Sequence, residues 1–282
     1  MSKREIIFYD QEYLSVQAHK QLRMYEDENF KIIFSIKSKT AYSLPLGLFG
    51  SFLKKRRVTS FAEFDAFWKE VKTKLEEEGV HRIEVVHPSH IYRDFVAPEW
   101  LKEIGFSVMY DDINHHIPLS KFALHKMEER KLQTLNENGF RAEHLTNEKL
   151  ELVYSFLAEC RKEKGLKINV PLRKLQSLVD RFPDTYDFFG GYLGDELACA
   201  AITLKTSEEV AYYFLPGTLE KYKKASPLVG LLDSIVQYYS KSMKYLDLGI
   251  SSVEGEPQQG LITFKERMGG IQTPKRRYFV KI

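Results

Sequence analysis

The segment Tyr245-Leu246-Asp247-Leu248-Gly249, followed after a loop by Gly260-Leu-Ile-Thr-Phe-Lys-Glu-Arg-Met-Gly-Gly270, carries the clearest pattern in the chain. Leu246 and Leu248 alternate with Tyr245 and Asp247, the period of a strand with one apolar face. Residues 259–268 read as a short helix stopped by Gly269 and Gly270, and residues 271–282 read as extended. Upstream, Pro227 opens a helix that runs to about residue 242. Three β-rich runs precede it, at 186–193, 197–204 and 210–215, joined by Gly194-Asp195 and Ser207-Glu208 as hairpin turns. A strand at 140–145 and helices at 147–164 and 171–181, the second started by Pro171, complete this half.

The first half follows the same order in shorter form. Residues 30–36 and the looser run 41–52 read as a hairpin closing on Pro45, Gly47 and Gly50. Phe61, Phe64, Phe67, Trp68, Val71 and Leu75 recur at helical spacing between Ser60, a good N-cap, and Gly79, a good C-cap. A short strand at 82–86, a brief helix at 99–104 ended by Gly105, and a closing strand pair at 106–110 and 114–118 follow. Pro45 and Gly47 correspond to Pro216 and Gly217, the cations at 54–57 to Lys221, Lys223 and Lys224, and Lys102-Glu103 to Lys265-Glu266. This internal repeat divides the chain into a reduced unit at 1–120, a basic amphipathic connector helix at 121–139 and a complete unit at 140–282. Duplication leads us to expect a cleft between the copies.

Composition narrows the possibilities. At 282 residues the chain has room for roughly two domains of about 150 residues. With 43% apolar and 29% charged residues it is neither disordered nor fibrous. Its 42 basic and 39 acidic side chains leave +3, too little for a field that would hold a polyanion, so phosphate recognition must come from local clusters. Cys160 and Cys199 are too few for a disulfide framework, which points to a reducing compartment, the cytoplasm. No stretch approaches the ~18 apolar residues of a membrane span, and the start of the chain has no signal-peptide core.

The second half resembles the GNAT fold of acyl-CoA N-acyltransferases, and two such units in tandem resemble the FemAB group of aminoacyl transferases that build peptide bridges in bacterial cell walls. The residues that carry the resemblance are 245–249, 260–270, Ser226-Pro227 before the long helix, and the basic connector ahead of Asn138-Gly139-Phe140. It implies a mixed α/β fold and an acyl or aminoacyl transferase forming an amide on an amine, such as that of a small-molecule, cell-wall or saccharide precursor. It also implies acyl-CoA or a charged tRNA as the donor. Acetyl-CoA enzymes of this fold carry a Gln/Arg-x-x-Gly-x-Gly/Ala loop whose amides cradle pyrophosphate. Here residues 223–230 read Lys-Lys-Ala-Ser-Pro-Leu-Val-Gly, without those glycines and with Pro227 donating no N–H. Two other readings stay open: an acetyl-CoA-dependent N-acetyltransferase for small amines, and a GNAT-like binding module without catalysis.

Acyl transfer needs a group to stabilise an oxyanion and a path for the amine's proton. Lys265 follows the Asp247 strand where the resemblance places a residue beside the donor; otherwise it is a surface lysine paired with Glu266 or Asp247. Asp247 serves either as a base or as an acceptor for backbone amides of the next loop. Glu254 is a second acid/base candidate or a solvated loop glutamate. On the donor side stand Lys223, Lys224, Ser226, Phe264 and Tyr212; for the last, core packing is the alternative. On the acceptor side, Phe49 and Gly50 lie beside Lys54, Lys55 and Arg56, with Gly50 letting a substrate approach the backbone and the cations meeting a phosphate, unless they form a solvated turn. His87 and His90, three apart across Pro88, lack the shared helical face of a metal pair, so no metal is expected.

Overall fold

A computed structural model describes residues 6–17, 22–44 and 47–282. Pro45 lies outside the described residues. The chain opens with helix α1 (Gln11–Gln17) and strands β1 (Leu22–Glu26), β2 (Phe30–Lys37), β3 (Thr40–Ser43) and β4 (Leu53–Lys54). Then come α2 (Phe61–Glu77), β5 (Arg82–His87), α3 (Pro98–Glu103), β6 (Ser107–Pro118) and α4 (Lys126–Glu137). The second series is β7 (Phe140–Leu145), α5 (Leu150–Glu163), α6 (Leu172–Arg181), β8 (Tyr186–Leu193), β9 (Glu196–Lys205) and β10 (Val210–Thr218). It continues with α7 (Pro227–Tyr239), β11 (Tyr245–Ile250), β12 (Ser252–Val253), β13 (Glu256–Pro257), α8 (Gln259–Arg267) and β14 (Ile271–Lys281). Among the described residues no helix is long and apolar enough to cross a membrane.

Two compact units emerge, and neither is continuous in sequence. Among the described residues, one holds 17, 22–44, 47–114, 252–257 and 273–282; the other holds 6–16, 115–251 and 258–272. The repeat divides the chain instead at 120 and 139, because periodicity identifies a strand without identifying its partner. Likewise the runs 106–110 and 114–118 fall in one strand, β6, and among the described residues of the run 41–52 only those of β3 form a strand.

In the unit holding the N-terminal repeat, β2 pairs antiparallel with β1 and β3, and β3 pairs parallel with β5 across the α2 crossover. The C-terminal strand β14 pairs antiparallel with β5, setting Arg276 to Lys281 against His87 to Arg82. Helix α2 forms as its spacing requires: Ser60 and Glu63 make a reciprocal capping box, and Phe64, Phe67, Trp68, Val71 and Leu75 are buried. They pack on Phe30, Phe34, Ile83 and Val85 of the sheet and on Tyr278 of β14.

The other unit repeats this plan. β7, β8, β9 and β10 run antiparallel, and β10 pairs parallel with β11 across the α7 crossover. Helix α7 buries Val229, Leu231, Leu232, Ile235 and Val236 against Phe189, Cys199, Ala201, Leu246 and Leu248. Helix α5 packs on β8, β9 and β10, where a Cβ on Gly217 would lie 2.8 Å from Leu157 Cδ2. The N-terminal segment joins here: the Ile7 amide donates to the Thr206 carbonyl at 3.0 Å, and the Tyr13 and Tyr186 hydroxyls meet at 2.8 Å.

Candidate active site

The parallel pairing of β10 with β11 stops at Tyr212 opposite Asp247, although β10 runs on to Thr218. Opposite β9, the register of β10 shifts between Tyr212 and Leu215, so Tyr213 and Phe214 fall outside both registers. An irregularity of this kind bends a strand. Gly249 takes φ +73°, and its amide donates to Asp247 Oδ1 at 2.9 Å. A Cβ there would lie 2.6 Å from the Tyr212 hydroxyl, so only glycine fits both the conformation and the space.

Lys265 holds the far side of this turn. It is only 6% exposed, and its Nζ donates to the carbonyls of Gly249 and Ile250, each at 2.8 Å. The ammonium thereby satisfies both carbonyls at the turn where β11 ends. Ser251 beyond them meets His115 Nδ1 at 3.0 Å, and the Gln258 amide donates to the Ser251 carbonyl at 2.9 Å, closing the loop.

The parted strands leave a slot of about 340 Å³. Its walls are Tyr212 to Phe214, Pro216 and Gly217 of β10, and Leu248 to Ile250 of β11. Leu228 and Leu232 of α7, Leu261 and Phe264 of α8, Lys265 and Lys164 complete the lining. The walls are largely apolar, and the charged lining residues are both cationic. Burial first, then the Asp247 carboxylate, pushes the Tyr212 hydroxyl far above the usual phenol value, so it stays protonated. His115 is lowered to about 4 by burial, with the Lys265 charge adding to the effect.

The slot brings together Lys265, Phe264 and Tyr212, with Asp247 buried beside them as an amide acceptor. Other expected residues lie elsewhere. Ser226 caps α7 in the left-handed region at φ +57°, while Lys223 and Lys224 lie on the exposed turn 220–225, and none of the three lines the slot. Glu254 is exposed, at φ +51°, in the turn between β12 and β13. Lys164 went unnoticed in the sequence because it closes a helix whose pattern explains it fully; only the fold puts it at the slot.

Around Phe49 the acceptor-side expectation meets a filled structure. Phe49 is 2% exposed, with its ring 4.3 Å from that of Tyr92. Gly50 bridges Val86 of β5, and the place of its missing Cβ is taken by Leu44, so the close approach it permits is to its own chain rather than to a substrate. Lys55 Nζ meets Glu26 at 2.6 Å and the Asp27 carbonyl at 2.6 Å, while Arg56 meets Asn29 at 3.0 Å. The loop after β3 thus packs against β5 of its own unit.

Residues 125–257 match the family model of the acetyltransferase (GNAT) domain. Among solved structures the chain is similar to FemX, with 12% identity and a TM-score of 0.67 over 93% of this chain and 88% of that one. The structure of L-PGS from Bacillus licheniformis aligns with 13% identity and a TM-score of 0.66 over 98% of this chain and 87% of that one. A tandem GNAT protein from the clavulanic acid biosynthesis pathway gives 11% and 0.54 over 89% and 78%. No curated protein sequence matches. Likeness at such identity is likeness of fold, and the fold it defines is the tandem GNAT fold. The fold resembles that of FemX, and residues 125–257 match the acetyltransferase (GNAT) domain model.

Proposed function

We propose that this protein is an acyl or aminoacyl transferase that forms an amide on an amine acceptor. The slot between β10 and β11 supports the reading most directly: an activated carbonyl fits where two strands part and one of them keeps residues outside any ladder. The amine nitrogen attacks that carbonyl carbon, the tetrahedral intermediate carries an oxyanion, and the carbonyl's bond to the leaving group breaks as the amine loses a proton. The amides of Tyr213 and Phe214 are the donors best placed for the oxyanion, and Lys265, which also lines the slot, adds positive charge. Tyr212, kept protonated, is the hydroxyl suited to the leaving group. Asp247 acts indirectly, by holding Gly249.

The donor loop bears on what is transferred. Left-handed Ser226 followed by Pro227 offers fewer main-chain amides than a glycine cradle, so the α7 start is poorly suited to pyrophosphate. That favours an aminoacyl donor such as a charged tRNA over acyl-CoA. The FemAB-like fold brings forward an amine of a cell-wall or saccharide precursor as the acceptor class. The test is mass-spectrometric detection of amide product from purified protein with acetyl-CoA or aminoacyl-tRNA and a panel of amines. Leu228→Trp, which fills the slot, should abolish product; turnover unchanged in that variant would overturn the reading.

A further inference from the structure

The slot poses a question that the α7 loop does not answer, namely what receives the donor's negative charge. Of the three lysines in the 220–225 turn, Lys221 meets Glu196 at 2.9 Å and Lys223 meets Glu220 at 3.3 Å, so two are already neutralised by the protein. The buried Lys265 is committed to the carbonyls of Gly249 and Ile250. Lys164 is the remaining charged group of the lining. It is exposed, and no ion pair involving it occurs among the described residues.

Its neighbours extend the same character. Residues 161–167 read Arg-Lys-Glu-Lys-Gly-Leu-Lys, and Lys162 and Lys167 are likewise exposed and without an ion pair among the described residues. The single acid of the stretch, Glu163, accepts the Glu220 main-chain amide at 2.9 Å, which ties this segment to the 220–225 turn that also carries Lys224. The chain reverses at Gly165 with φ +68°, and the Tyr154 hydroxyl donates to the Val170 carbonyl at 3.0 Å, pinning the loop beyond. Lys164 thus lines an apolar slot from a braced segment whose one carboxylate is used internally, with Lys162 and Lys167 close to it in sequence.

We propose that Lys164, with Lys162 and Lys167, reads the phosphate groups of the acyl donor at the slot mouth, in place of amides at the α7 start. The proposal rests on the slot being the donor site. Phosphate is common to a nucleotide coenzyme and to the 3′ end of an RNA, and both are taken as probes.

The experiment measures equilibrium binding of coenzyme A and of a short RNA hairpin with a single-stranded 3′ end at several salt concentrations. The proteins are wild type, K164E/K167E, the charge-matched control K149E/K241E, and Leu228→Trp. Wild type should bind one probe with an affinity that falls with salt. K164E/K167E should bind it at least tenfold more weakly and with a shallower salt slope, while the control stays within about twofold. Which probe binds identifies the source of the phosphate. Equal affinity in K164E/K167E and wild type, or no binding of either probe by wild type, overturns the proposal. If Leu228→Trp alone leaves binding intact while K164E/K167E weakens it, the phosphate site stands and the slot reading fails.

Discussion

A lysine with 6% of its surface exposed and two carbonyl partners is a costly arrangement to lose. Lys265→Met should leave the Gly249 and Ile250 carbonyls without their donor, destabilising the protein by about 1 to 3 kcal/mol in urea unfolding, and should lower turnover further than that loss of folded protein explains. Lys265→Arg should recover more stability than turnover, because a planar guanidinium reaches the carbonyls but not the same point in space. His115 gives a second prediction. Its folded-state value near 4 lies below the ordinary 6.5, so between these values the unfolded chain binds the extra proton. Stability is complete above about pH 6.5 and falls as pH drops toward 4. His115→Gln should shrink the difference in urea midpoint between pH 7 and pH 5; an unchanged difference would mean that the histidine is not buried neutral. The sequence left Asp247 as either a base or an acceptor of backbone amides, and in the structure it accepts the Gly249 amide. Lys164 stayed hidden because nothing local distinguishes it from any lysine at a helix end.

At the scale of elements, helices with capped ends were legible. Ser60 and Glu63 form their box whatever lies above them, and Pro227 starts α7 from its own fixed backbone angle. Helix α1 and strand β1 were missed; β1 is short and nowhere fully buried, so its pattern is faint. The slot itself depends on β10 lying close to α5 while leaving β11. Gly217→Ala tests that closeness. Its new Cβ would lie 2.8 Å from Leu157 and 3.1 Å from Cys160 Cβ, so α5 must yield, at a cost of about 1 to 3 kcal/mol. Thermal melts should show that loss, together with weaker donor binding if the slot wall moves. Gly249→Ala should be worse for turnover than for stability, since its Cβ meets the Tyr212 hydroxyl inside the slot.

For the whole molecule, the chain ends are exchanged between units. Residues 6–16 belong with the second copy, and residues 273–282 complete the sheet of the first, where Tyr278 is fully buried. Removing residues 273–282 should therefore unfold the unit formed by the N-terminal repeat, read as rapid proteolysis within 22–114 while 140–250 remains protected. Protection of both would show that β14 is dispensable to that sheet. Composition, capping and the repeated order of elements were enough to specify a mixed α/β fold of two related units, because those signals act between residues a few positions apart. Only the tertiary structure chose which strand pairs with β5, where the slot opens and that Leu44 takes the place beside Gly50. Those outcomes depend on contacts between distant segments, and such contacts leave no period in the sequence.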